Sequence, residues 1–166
     1  MFIQPVTGYR KVVTPAFRSQ AENPLLKQSD ITRLDSKLVI GRAPGACRYE
    51  NHQYKINSNI LAKDLQFLKS NYNVDTLIDL RAGHIEGNEI TKEANATKKA
   101  GMTYLNLQMD GAIAPKPDEL KSFFNTIDKA KGNVYLQCHM GHDRTGVMSA
   151  CYICLLYTSD AADDLI

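Results

Sequence analysis

Residues 133–146 read NVYLQCHMGHDRTG and join an apolar run to a glycine-containing loop. The run at 133–137 is short and rich in residues that favour strands, so it predicts a buried strand. From Thr145 onward the sequence is mostly apolar and has neither Gly nor Pro after Gly146. That pattern indicates a buried helix. The segment therefore predicts a strand, a loop and a helix in direct succession.

The loop carries Cys138 and Arg144 in the pattern Cys-x5-Arg-Thr-Gly. Between a strand and a helix, such a loop can turn several backbone N–H groups inward and form an anion-binding nest, to which the helix adds its positive N-terminal end. Cys138 is then expected to be largely a thiolate, and Arg144 to bind a phosphate through two parallel hydrogen bonds. Thr145 can donate its hydroxyl to the sulfur. Gly141 is expected to adopt a backbone angle that other residues avoid, and Gly146 to permit close packing.

These parts predict a nucleophile held in a phosphate cradle. The expected chemistry is two-step hydrolysis of a phosphomonoester through a cysteinyl-phosphate. No metal ion or other cofactor is expected, because the loop amides and Arg144 supply the positive charge. The alternative for Cys138 is an inert core thiol.

Upstream of this segment, apolar runs alternate with helical patterns. Strands are predicted at 38–40, 74–80, 102–107 and 133–137, and helices are predicted to start at Ser58, Asn88, Pro117 and Thr145. Strands separated by helices predict an α/β fold with a mostly parallel central sheet flanked by helices. Ligands bind such sheets at the carboxyl ends of the strands, which is where the loop lies.

The loop Cys-x-x-Gly-x-x-Arg-Thr-Gly after a buried strand resembles the signature loop of the cysteine-dependent protein tyrosine phosphatase superfamily. Residues 77–81 (LIDLR), followed by Glu86 and Glu89, resemble a segment of its small dual-specificity members, and residues 41–44 (GRAP) resemble the turn after their first strand. The resemblance covers roughly residues 34–153. It implies a tyrosine-phosphatase-like fold and a protein tyrosine or dual-specificity-type phosphatase.

The resemblance also suggests the acid that protonates the leaving group. In the family this is an Asp on a loop after the preceding strand, and Asp110 occupies that place. Asp143 is the rival, because some lipid phosphatases of the superfamily carry Asp just before the loop Arg. Asp118 is interpreted as a helix cap. One position departs from the family, which usually has a loop-orienting His before the nucleophile where this chain has Gln137.

The resemblance leaves the substrate open. The residues expected to bind it are His139, Met140, Gly141, His142, Asp143 and Arg144. His139 and His142 occupy positions where phosphoinositide phosphatases of the superfamily often carry basic residues, although both could simply face solvent. Phosphotyrosine, phosphoserine and phosphothreonine proteins therefore compete with phosphoinositides and inositol phosphates. A catalytically weak or inactive phosphate-binding module is the alternative function, and a rhodanese-like sulfur carrier fits the Arg-Thr-Gly ending less well.

The chain of 166 residues suits one domain. Residues 1–37 are predicted to form an extended or looped arm, 45–57 a loop, and 38–153 the phosphatase domain. Residues 154–164 resemble the translation of a transposase sequencing adapter. We therefore expect 154–166 to be a non-native tail and the domain to be incomplete at its C-terminus.

The remaining features indicate ordinary globular structure. Asp79 and Arg81 form either a structural pair at a strand end or, with Arg81 near the phosphate, part of the site. Glu86 and Glu89 are interpreted as a solvated face. The four cysteines are expected to be free thiols, with a protective disulfide between Cys47 and Cys138 under oxidation as the alternative. The net charge of +2 does not indicate nucleic acid. No apolar run is long enough for a transmembrane segment, and the absence of a signal peptide suggests the cytoplasm.

Overall fold

The computed structural model describes residues 26–45, 48–50 and 53–163. Seven strands, four α-helices and a 3-10 turn at Gln28–Asp30 lie within these ranges. The strands are β1 (Ile31–Arg33), β2 (Leu38–Gly41), β3 (Arg48–Glu50), β4 (Gln53–Lys55), β5 (Val74–Asp79), β6 (Thr103–Asn106) and β7 (Asn133–Gln137). The helices are α1 (Ser58–Tyr72), α2 (Gly83–Lys99), α3 (Pro117–Lys129) and α4 (Asp143–Asp163).

Five strands form one sheet in the order β1-β2-β7-β5-β6. All neighbours in it are parallel except β1 and β2. β7 is the central strand, and its Leu136 pairs with Ile40 on one side and Ile78 on the other. The predicted α/β fold with a mostly parallel sheet is thus confirmed.

Helices cover both faces of this sheet. α3 and α4 bury residues such as Phe123 and Met148 against Leu136. α1 buries Leu61, Leu65 and Leu68 on the opposite face, against residues that include Tyr135. Successive β7 residues point to opposite faces, so a strand packed on both sides is apolar almost throughout.

Two predictions about irregular segments differ from the structure. Residues 31–33 of the predicted arm form β1, which adds an antiparallel edge to the sheet beside β2. The predicted loop at 45–57 contains the hairpin β3–β4. Residues 1–25 of the arm and Cys47 lie outside the described residues. Helix α1 begins as predicted, but its cap is Asn57, whose side chain accepts hydrogen bonds from the amides of Asn59 and Ile60.

Helix α2 buries several of its polar residues. Glu93 and Thr97 are fully buried, and Glu89 is only 9% exposed. The Glu89 carboxylate accepts a hydrogen bond from the amide of Ile56 and binds Lys92. The prediction that Glu89 belongs to a solvated face is therefore wrong, and the Glu86 side chain lies outside the described ones.

Helix α4 runs from Asp143 to Asp163. Residues 154–163 of the predicted tail therefore continue the helix, and their origin in an adapter stays a prediction. In the part of the chain that the structure describes, α4 and the other helices are too short or too polar to cross a bilayer.

Candidate active site

The candidate site lies at the carboxyl end of β7, where the chain leaves the centre of the sheet. The carbonyl of Gln137 accepts a hydrogen bond from the amide of Leu80 at 2.9 Å, which ties the end of β7 to the end of β5. Cys138 follows at once. Its side chain is 3% exposed and packs among the buried residues on the α3 and α4 side. The thiol therefore lies deep, beneath the loop that the next residues form.

The loop closes against the turn after β2. Gly141 has a φ of +77°, the left-handed angle expected for it. A Cβ built on Gly141 would lie 2.6 Å from the carbonyl oxygen of Gly41 and 2.8 Å from the amide nitrogen of Arg42. The carbonyl of His139 accepts a hydrogen bond from Ala43 at 3.2 Å. Only glycine fits at position 141 because both the backbone angle and the space exclude a side chain.

Helix α4 begins directly after the loop. The amide of Gly146 donates to the carbonyl of His142 at 2.7 Å, which forms the first helical turn, and the positive end of the helix faces the loop. Arg144 lies in this turn, and its Nη1 donates to the carbonyl of Leu80 at 3.4 Å. A Cβ on Gly146 would meet no described atom within 4 Å, so the prediction that Gly146 permits close packing is wrong.

Thr145 lies beside the loop on the same turn. Its side chain is fully buried, and its hydroxyl has no hydrogen-bond partner among the described residues. The hydrogen bond to the Cys138 sulfur that the sequence suggested is not formed. A buried hydroxyl without a partner costs free energy, so this hydroxyl is not explained by a contribution to folding.

Asp110 lies on the loop between β6 and α3. Its side chain is exposed, and its Oδ1 accepts a hydrogen bond from the amide of Ala112 at 2.9 Å. A Cβ on the next residue, Gly111, would lie 3.9 Å from Nε of Arg144. The loop that carries Asp110 thus reaches the cradle.

Asp118 does not cap α3, because the cap contact is made by the Glu119 side chain with the amide of Lys116.

The variable loop positions differ strongly in exposure. His139 is only 9% exposed, whereas Met140 is 59% exposed. His142 and Asp143 are also exposed. The solvent-facing interpretation therefore agrees with the exposure of His142 and not with that of His139, and contact of either histidine with a phosphate stays a prediction.

A buried polar cluster lies on the α2 side of the same strand ends. The Arg81 guanidinium binds Asp79 at 2.7 Å and also binds Glu93, and all three side chains are fully buried. Gln137 donates its side-chain amide to the other oxygen of Glu93, and the hydroxyl of Tyr104 donates to Asp79 at 2.6 Å. Of the two interpretations of Arg81, the structure supports the structural pair. We call these five residues the buried cluster.

Two carboxylates share one guanidinium in this cluster. Burial raises the pKa of Glu93 to about 8, although Arg81 acts against that rise. Burial would lower the pKa of Arg81, but Glu93 and Asp79 outweigh it and raise that pKa above its ordinary value. Burial and the neighbouring Asp79 also raise the pKa of Tyr104. The raised pKa of Glu93 favours its neutral form beside the ion pair of Asp79 and Arg81.

Sequence reasoning missed Glu93. Residues 90–97 mix polar and apolar side chains, and the signal is the spacing of Glu93 from Ile90 and Thr97, which places the three on one helix face. The sequence marks Gln137 only as a departure from the family pattern. Its partner could not be read from local sequence, because the two residues are 44 positions apart.

A family model described as "Polymorphic toxin system, DSP-PTPase phosphatase" matches residues 52–158. Among curated proteins, the human dual specificity protein phosphatase CDC14C is 30% identical over 101 residues, which are 61% of this chain and 21% of that protein. The Caenorhabditis elegans tyrosine-protein phosphatase cdc-14 is 27% identical over 90 residues, which are 54% of this chain and 12% of that protein. The chain spans about a fifth or less of the length of the curated relatives it matches.

Solved structures share the fold. The Pseudomonas aeruginosa protein TpbA aligns with a TM-score of 0.53 and 18% identity, covering 76% of this chain and 65% of that one. A TpbA variant in complex with pTyr aligns with a TM-score of 0.52 and 18% identity, covering 80% of this chain and 65% of that one. A mutant form of Tk-PTP gives a TM-score of 0.56 and 16% identity, covering 78% of this chain and 73% of that one.

Proposed function

Because the chain belongs to the DSP-PTPase phosphatase family of polymorphic toxin systems, we propose that it hydrolyses phosphomonoesters through a cysteinyl-phosphate intermediate. One arrangement carries the proposal: Cys138 and Arg144 lie at the two ends of a loop that Gly141 closes at the carboxyl end of the central strand. The loop amides and the start of α4 supply positive potential there, with no metal ion required for the step.

The proposed reaction has two steps. The Cys138 thiolate attacks phosphorus, the leaving oxygen takes a proton from Asp110, and a sulfur–phosphorus bond replaces the oxygen–phosphorus bond. Arg144 holds two phosphoryl oxygens in place of the Leu80 carbonyl that it contacts in the structure. Water then attacks phosphorus and gives a proton to the Asp110 carboxylate, the sulfur–phosphorus bond breaks, phosphate leaves, and the Thr145 hydroxyl donates to the departing sulfur.

For the substrate class we propose phosphoproteins, with phosphotyrosine first. A multiply phosphorylated inositol needs several cations at the rim, but the rim exposes His142 next to acidic Asp143, and His139 is buried. Exposed Met140, in the loop itself, offers an apolar surface to an aromatic ring. The related fold of TpbA binds pTyr in its complex.

Hydrolysis of p-nitrophenyl phosphate in the presence of a chelator tests the reaction. Chelator-resistant turnover that disappears in Cys138→Ser supports the cysteinyl-phosphate route. Trapping of a labelled phosphoenzyme after acid quench identifies the intermediate directly. Matched panels of phosphopeptides and inositol phosphates then test the substrate class, and faster turnover of the inositol phosphates would overturn our choice.

A phosphate-binding module without turnover is the second candidate. It is favoured by Gln137, because its neutral amide is engaged by Glu93 and adds no positive charge beside the thiol. This candidate predicts that wild type and Cys138→Ser bind tungstate equally and that neither hydrolyses any ester. Turnover by the wild type excludes it.

A further inference from the structure

Gln137 is held from two directions. Its backbone lies in the sheet, paired with Gly41 on β2 and with Asp79 on β5. Its side-chain amide donates to Glu93 on α2, and both side chains are completely buried. The Gln137 side chain is therefore anchored to α2, which packs on one face of the sheet. The thiol of the next residue, Cys138, lies on the other face.

Glu93 is also connected, through Arg81, to the strand end that Arg144 contacts. Its second oxygen binds Arg81, which immediately follows Leu80. The side chain of Asn106 donates to the carbonyls of both Asp79 and Arg81 at 2.9 Å, so the backbone on either side of Leu80 is held. The carbonyl of Leu80 is the one that Arg144 contacts.

We propose that Glu93 is a positioning residue for the phosphate cradle, acting through Gln137 on Cys138 and through Arg81 on the strand end that faces Arg144. The proposal rests on the proposed function for what the cradle does. Glu93 touches no reacting atom. It bonds a neutral amide and a guanidinium at once, and each of these is adjacent in sequence to a residue of the site.

The hydrogen bonds of Glu93 with Arg81 and Gln137 could instead serve stability alone. In that case their loss would lower the melting temperature and leave the folded enzyme with normal turnover. A positioning role predicts a further effect, since displacement of a catalytic group by about 1 Å can slow a reaction about a hundredfold. Measuring turnover under conditions where each variant is folded therefore separates the two roles.

The test compares Glu93→Gln, Gln137→Met and the double variant with the wild type. Gln at position 93 keeps the volume but cannot accept from both Arg81 and Gln137, and Met at position 137 cannot donate. Thr97→Val is the matched control, because Thr97 is buried one turn further along α2 and its hydroxyl has no partner among the described residues. Each variant is assayed below its own melting temperature for kcat, KM and the Kd of tungstate, an unreactive oxyanion.

We expect both single variants to lower kcat about tenfold or more and to weaken tungstate binding several-fold, with a smaller change in KM. The double variant should lose little more than the stronger single one, because both act on one chain of contacts. Thr97→Val should change neither quantity.

Three results would overturn the proposal. They are a kcat and a tungstate Kd within twofold of wild type in the folded single variants, multiplicative losses in the double variant, or a wild type that binds no tungstate. A wild type that binds tungstate without turnover would overturn the proposed function alone. Tungstate binding would still decide whether Glu93 positions the cradle.

Discussion

Gly141 lies so close to Gly41 that a Cβ at position 141 would stand 2.6 Å from the Gly41 carbonyl oxygen. The left-handed φ of Gly141 adds a second obstacle to any side chain. We expect Gly141→Ala to lower the free energy of unfolding by about 1–3 kcal/mol and to abolish oxyanion binding. Urea denaturation and tungstate titration measure these two effects.

Gly146→Ala is the natural comparison for stability. Its Cβ would enter open space inside the first turn of α4, so the change should raise stability by about 0.5–1 kcal/mol. Equal losses in both variants would contradict the assignment of Gly141 to the close approach.

Thr145→Val should separate stability from turnover. The hydroxyl is buried and has no partner among the described residues, so removing it should leave stability unchanged or raise it by up to about 1 kcal/mol. If the hydroxyl assists departure of sulfur, kcat falls about tenfold and phosphoenzyme accumulates. Thermal melting and acid-quench labelling test both effects.

Ser149→Ala is the control for that experiment, because Ser149 lies one turn later on α4 and its hydroxyl donates to the Thr145 carbonyl at 2.7 Å. It should not change the amount of phosphoenzyme. Unchanged phosphoenzyme in Thr145→Val as well would remove Thr145 from the second step.

Asp110→Asn should slow the first step, and the loss should be larger for a leaving group that needs a proton. A phosphotyrosine peptide, whose leaving group needs a proton, should lose about a hundredfold in kcat, and p-nitrophenyl phosphate should lose much less. Asp143→Asn is the paired comparison, because Asp143 is the other candidate acid. The opposite ranking of the two variants would transfer the acid role to Asp143.

Glu93 should make stability fall as pH rises. Its pKa is about 8 in the folded protein against an ordinary value of 4.5, so between these values the folded state holds the proton that the unfolded state has released. This contribution is fully present below about pH 4.5 and is lost as pH rises through 8. The slope it adds reaches at most about 1.4 kcal/mol per pH unit.

Urea denaturation of wild type and Glu93→Gln between pH 5 and 8.5 isolates this contribution, since all other groups are common to both proteins. The titratable groups that face Glu93 are Asp79, Arg81, Tyr104 and Tyr135. The difference in unfolding free energy should change with pH in the stated direction. Parallel curves would show that Glu93 titrates at its ordinary pKa.

The central part of the fold could be predicted because its signals are local. β5 and β7 are covered on both faces, so their sequences are apolar almost throughout, and Gly132 and Gly101 mark the turns that precede strands. β1, β3 and β4 could not be predicted, because each has three residues, too few for a period. β1 is ordered by pairing with β2.

The residues of the site also fall into those with a local sequence signal and those without one. Cys138, Gly141 and Arg144 lie within seven consecutive residues, so one loop motif identifies them together. Glu93 could not be identified, because a buried carboxylate is tolerated only with its partners, and those lie 12 and 44 positions away along the chain. The burial of His139 also could not be predicted from the local sequence, because the loop at His139 packs against the turn after β2.

The position of β7 also bears on when the protein can fold during synthesis. Among the strands that the structure describes, β7 comes last along the chain but lies between β2 and β5. Until residues 133–137 have left the ribosome, the nascent chain lacks β7, the strand that joins the β1–β2 pair to the β5–β6 pair in the folded sheet. The strand that completes the sheet is the one that delivers Cys138, so the nucleophile is never present on a nascent chain before the sheet that holds it can close.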